Sequence, residues 1–66
     1  MTDPAYSRLK HDLANPLSAI LAETQLLLMR AEELPTDAVE SLRSIEAGAL
    51  RMRELLRKLP PTSSPA

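Results

Sequence analysis

The run His11-Asp12-Leu13-Ala14-Asn15-Pro16-Leu17 sets a nucleophile, a carboxylate and a carboxamide together at helical spacing, and His11 is the only histidine in the chain. A histidine ring changes charge near neutral pH, and its neutral form offers one unprotonated nitrogen for attack on phosphorus. Such attack needs a group to hold the other N–H and to absorb positive charge as the bond forms. Asp12, next in sequence, is suited to that task. Asn15 lies one turn after His11 on the same side, where a carboxamide can position a water or a phosphoryl oxygen. Taken singly these are weak signals: a His-Asp pair is common by chance, and a polar stripe around a histidine is usually a solvated face.

Pro16 sharpens the pattern. Inside a helix it removes the bond to the Asp12 carbonyl and clashes with that turn, at a cost of about 3 kcal/mol. Asn15-Pro16 also suits a cap and first residue, so a helix can simply begin there. The apolar phase, however, passes unbroken from Leu9 and Leu13 to Leu17 and Ile20. That continuity favours one helix, kinked near Pro16, with its backbone loosened beside His11.

Two periodic segments must position these residues. The first spans about Tyr6 to Leu34, with apolar or small side chains at Tyr6, Leu9, Leu13, Leu17, Ile20, Thr24, Leu27, Ala31 and Leu34. The second spans about Asp37 to Leu59, with Ala38, Leu42, Ile45, Ala49, Met52, Leu56 and Leu59. Spacings of three and four mark helix faces. Leu28, Leu50 and Leu55 widen both stripes beyond a two-stranded seam. Pro35 disfavours helix at Leu34, Thr36 is a candidate N-cap, and Asp37 suits the first turn that follows. A connection this short makes the helices antiparallel neighbours.

The expected fold is therefore all-α: an antiparallel helical hairpin over residues 5–59 that pairs with a second copy into a homodimeric four-helix bundle. Two helices alone cannot cover both stripes, and a 66-residue chain without cysteine has neither disulfides nor a Cys-based zinc site for support. Gly48 either permits close packing beside Ala47 and Ala49 or is a tolerated weakness worth about 1 kcal/mol against Ala. Met1 to Pro4 read as a loose lead-in in which Asp3-Pro4 can cap the helix. The Pro- and Ser-rich stretch 60–66 reads as a disordered tail.

Composition narrows the chemistry further. Eight basic and nine acidic residues give a net charge of −1 and no basic patch for nucleic acid. Arg51, Arg53, Arg57 and Lys58 are read as cations meeting the dipole at a helix C-terminus. Tyr6 is the sole aromatic residue, so there is no platform for stacking bases. A single histidine makes a poor metal site. No apolar run reaches the roughly 20 residues that span a bilayer. The expectation is a cytoplasmic chain without metal, nucleic acid or direct membrane contact.

On a helical wheel His11 stands about 200° from both Leu9 and Leu13. It should face solvent, in a stripe continued by Asn15, Ser18, Ala22 and Gln25. Small and polar neighbours leave room for another protein to approach the ring.

Residues 11 to 17 are similar to the phosphoacceptor box of two-component sensor histidine kinases, in which the histidine is followed by an acid, then by Asn or Thr, then by Pro-Leu. Residues of about 6 to 59 resemble that family's dimerisation and phosphotransfer (HisKA-type) hairpin. The resemblance implies that His11 is the phosphoacceptor, Asp12 the assisting acid, Asn15 the residue tied to dephosphorylating a partner, and Pro16 the helix-bending proline. It implies a response regulator, docked near Ser18, Ala19 and Ala22 and against helix 2, whose receiver aspartate takes the phosphoryl group. Ala14 departs from the pattern, since the family often has Lys or Arg there; any phosphate contact from that position is lost. The chain has no Gly-rich loop and no α/β catalytic domain, so ATP and Mg²⁺ would belong to a separate kinase domain and His11 would not be phosphorylated by this chain unaided. The competing reading is a non-catalytic dimeric helical protein that binds or inhibits a kinase or response regulator.

Overall fold

The computed structural model describes residues 4–60. Helix α1 runs Pro4–Leu28 and helix α2 runs Thr36–Lys58, joined by the turn Met29-Arg30, a 3₁₀ turn at Ala31–Glu33 and an extended Leu34-Pro35. At ~1.5 Å per residue the two helices are about 37 and 34 Å long. They pack against each other as an antiparallel hairpin, with no strand among the described residues.

Proline sets two of the boundaries. Pro4, the first described residue, is helical, and its missing N–H costs little in a first turn. Leu34, before Pro35, is extended at φ −111°, ψ 150°. Leu59, before Pro60, is extended at φ −66°, ψ 138°. A proline ring disfavours helical geometry at the residue preceding it, in keeping with both. Pro16 does not act this way: α1 continues through it, as the unbroken apolar phase requires.

Several boundaries differ from expectation. Helix 1 ends at Leu28 rather than near Leu34, because Arg30 donates to Leu27 and Glu33 to Arg30, closing tight i→i−3 turns before the proline. Thr36 is the first helical residue, and Pro35 holds the cap position without a side-chain bond. The side-chain help comes from Asp37, whose Oδ1 accepts from the Ala38 N–H at 2.9 Å. Pro4 is helical and not part of a loose lead-in; the proposed Asp3 cap and the tail beyond Pro60 lie outside the described residues.

The larger correction concerns the apolar stripes, each of which divides into two columns. Leu17, Leu21 and Thr24 of α1 are buried against α2, where Ala49 is buried and Leu56 packs on the same cluster. Thr24 satisfies its hydroxyl by donating to the Ile20 carbonyl at 2.7 Å, the usual solution for a buried helical threonine. Leu9, Leu13, Ile20 and Leu27 remain between 42% and 57% exposed, and Ile45, Met52, Leu55 and Leu59 between 41% and 50%. These positions sit a fraction of a turn to one side of the hairpin contact. In antiparallel neighbours the two bare columns fall on the same side of the helix pair, making one continuous uncovered apolar face.

Polar contacts join the helices at two levels. Lys10 Nζ donates to the Leu59 carbonyl at 3.1 Å, and Gln25 Nε2 to Glu46 Oε2 at 3.3 Å. The first caps the C-terminus of α2 with a cation, favourable for its dipole. The ion pairs Arg30–Glu33 and Arg57–Glu54 are exposed i,i+3 contacts and add little.

Gly48 has nothing within 4 Å of where a Cβ would stand, so the hairpin itself does not need it for close packing. Two stability outcomes follow. Leu21→Ala, at a position only 4% exposed, is expected to cost about 2–5 kcal/mol in urea unfolding. Gly48→Ala is expected to stabilise by about 1 kcal/mol through helix propensity alone. Destabilisation by Gly48→Ala would instead mean that another backbone approaches this point, which adjoins Ile45 and Met52 on the bare face.

Candidate functional site

α1 positions the whole cluster. His11, Asp12, Asn15 and Pro16 are all exposed, as are Ser18, Ala19 and Ala22. Helix geometry brings His11, Asn15, Ser18, Ala22 and Gln25 to one side of α1, about half a turn away from the bare Leu9–Leu13–Ile20–Leu27 column. Asp12 is rotated ~100° from His11 and aligns more closely with Arg8 and Ala19. Neighbours in sequence do not face one another on a helix, so Asp12 reaches the imidazole only through its side-chain rotamer.

Among the described residues, the side chains of His11, Asp12 and Asn15 take part in no hydrogen bond or ion pair. The imidazole is thus unencumbered for an incoming electrophile. Pro16 has no N–H to give the Asp12 carbonyl, which frees an acceptor in the same turn. Ala14 is half-buried on the side toward α2, next to the Lys10 side chain that crosses to Leu59. Ser18, Ala19 and Ala22 extend a surface with small side chains toward the loop end.

Sequence reasoning passed over Lys10. Its bond to the Leu59 carbonyl places His11 level with the final turn of α2, where Arg57 and Lys58 lie. A signal for it was present: Lys10 is seven residues before Leu17 and shares the column of Leu17, Leu21 and Thr24, so its stem runs along the hairpin seam. The bond between Gln25 and Glu46 was likewise invisible, because register between the helices is not written in either one alone.

No described helix is long and apolar enough to cross a membrane. Comparison with known proteins gives one family. Searches of curated proteins and of solved structures return no match. The family described as His Kinase A (phospho-acceptor) domain matches residues 7–59, which include the whole His11–Leu17 run and nearly all of both helices. With a match over most of its length and a helical hairpin carrying an exposed histidine in the motif, the chain belongs to the His Kinase A phosphoacceptor domain family.

Proposed function

We propose that this chain is a phosphoacceptor and dimerisation module of two-component signalling, with His11 as the residue that carries the phosphoryl group. The observation that supports this most directly is the separation of faces on α1. The imidazole stands opposite the uncovered apolar column, so a partner covering Leu13 and Ile20 leaves His11 open. The proposed cover is a second copy, giving a four-helix bundle that buries both bare columns.

In the proposed reaction a separate kinase domain supplies Mg²⁺-bound ATP. The free ring nitrogen of His11 attacks the γ-phosphorus, the N–P bond forms, and the bond to the departing ADP oxygen breaks. Asp12 offsets the positive charge on the ring and takes the proton from the other nitrogen. A receiver aspartate of a response regulator then attacks the phosphorus, the N–P bond breaks, and the ring recovers its proton. Asn15 would orient a water or a phosphoryl oxygen during dephosphorylation of that partner. Ser18, Ala19 and Ala22 would receive the regulator, since small side chains allow close approach to the ring. ATP-dependent exchange with such partners suits the cytoplasm.

Incubation with ATP-loaded histidine kinase catalytic domains tests the chemistry. Acid-labile, base-stable label is expected on the wild type and absent from His11→Ala. Asp12→Asn should slow labelling by about 10²–10⁴-fold, the usual contribution of a positioned acid–base group. A dimeric, folded chain that takes no label across the panel would favour the binding-only reading.

Assembly is tested separately by sedimentation at micromolar concentration. The wild type is expected at twice the chain mass, and Leu13→Ser with Ile20→Ser is expected to abolish the dimer. A well-folded wild-type monomer would overturn the bundle.

A further inference from the structure

Arg8 is the unassigned residue whose placement carries furthest. It lies three residues before His11 and four before Asp12, so both fall within reach of its side chain on one side of α1. It is exposed, and among the described residues it has no carboxylate partner; the ion pairs there are Arg30–Glu33 and Arg57–Glu54. The other nearby cation of α1, Lys10, is engaged with the Leu59 carbonyl. At the end of α2 that packs beside this turn, Arg57 is paired with Glu54, and Lys58 sits in the last turn.

Resting on the reading of His11 as phosphoacceptor, we propose that Arg8 is the residue that binds the phosphoryl group on His11, its guanidinium bridging that group and the Asp12 carboxylate. A phosphoryl group adds a charge of about −1.5 to −2 beside a carboxylate that is already negative. The resulting repulsion needs a cation in reach of both, and i,i+3 with i,i+4 spacing puts Arg8 there. A planar guanidinium with five donors can serve two anions together, which an ammonium does less well. Among the described residues Asp12 is the carboxylate at helical spacing from Arg8, in the weaker order with the cation N-terminal to the acid, consistent with the open pair in the structure.

The test loads His11 chemically with phosphoramidate, so that no kinase is required, and follows the phosphohistidine ³¹P signal through a pH titration at low salt. A neighbouring cation favours the more highly charged phosphoryl form. Arg8→Ala is therefore expected to move the midpoint upward by roughly 0.2–0.7 pH unit, the scale of an exposed ion pair. Arg8→Lys should recover part of the shift, and added salt should shrink it. Arg43→Ala, toward the loop end of α2, controls for net charge and should leave the midpoint in place. Equal midpoints in wild type and Arg8→Ala, or an equal shift from Arg43→Ala, would overturn the role of Arg8 while the kinase assay still decides that of His11. Failure of the folded wild type to take a phosphoryl group at His11 would overturn both.

Discussion

The structure depends on a division of apolar surface that a two-helix unit cannot avoid. A helix that packs against one neighbour uses one column of side chains; these helices each carry two. Leu17, Leu21 and Thr24 meet Ala49 and Leu56 across the hairpin, while Leu13, Ile20, Ile45 and Met52 have no cover within it. Among the described residues three apolar side chains are buried and eleven large ones remain exposed, the imbalance that the proposed second copy would relieve. The second column marks the surface that the proposed second copy would cover. A histidine on that side would be lost in such an interface, whereas His11 stands on the opposite one.

The open end of the hairpin is organised by a different interaction. Lys10 reaches along the seam to the carbonyl of Leu59, the residue just after α2, so the turn that bears His11 and the C-terminus of the second helix are held at one level. A single exposed hydrogen bond of this kind contributes about 1 kcal/mol, and a charged donor somewhat more. Its consequence is geometric: it brings the cationic last turn of α2 alongside the His11 turn. Pro16, one turn further on, takes a hydrogen bond away from α1 at the point where Lys10 adds one between the helices. Around the His11 turn, α1 thus lacks one internal hydrogen bond and gains one to the end of α2.

Local chemistry made much of this legible in the sequence. The helix periods, the short connection with Pro35 and the continuity of α1 through Pro16 all follow from rules that act within a few residues. The exposure of His11 follows from its angular distance to Leu9 and Leu13, and that angle survives even though those leucines are themselves uncovered in the hairpin. What was not legible depends on pairing. Spacings of three and four reveal that a stripe is apolar, but not which of its two columns a neighbour takes; Leu17 and Ile20 look alike until α2 is in place. The early end of α1 at Leu28 was hidden for a related reason. Leu28, Ala31 and Leu34 continue the periodic pattern through a 3₁₀ turn, whose i→i−3 bonds preserve the apolar spacing while ending the α-helix.

The two faces of α1 impose opposite demands on side-chain size, and the sequence meets both. On the bare apolar side the residues are large, Leu9, Leu13, Ile20 and Leu27, because stabilisation there scales with the area removed from water. On the His11 side they shrink to Asn15, Ser18 and Ala22, as the proposed phosphoryl transfer would require, since reacting atoms must approach within about 3–3.5 Å. A long side chain at Ser18 or Ala22 would hold an incoming protein off the ring without weakening the hairpin, since both positions are exposed. On the proposed function the small residues serve access rather than packing. The same argument fits the role proposed for Arg8, on the N-terminal side of His11 and away from the Asn15–Ser18–Ala22 surface: a cation there could reach a phosphoryl group on the ring while leaving the approach from the loop end clear.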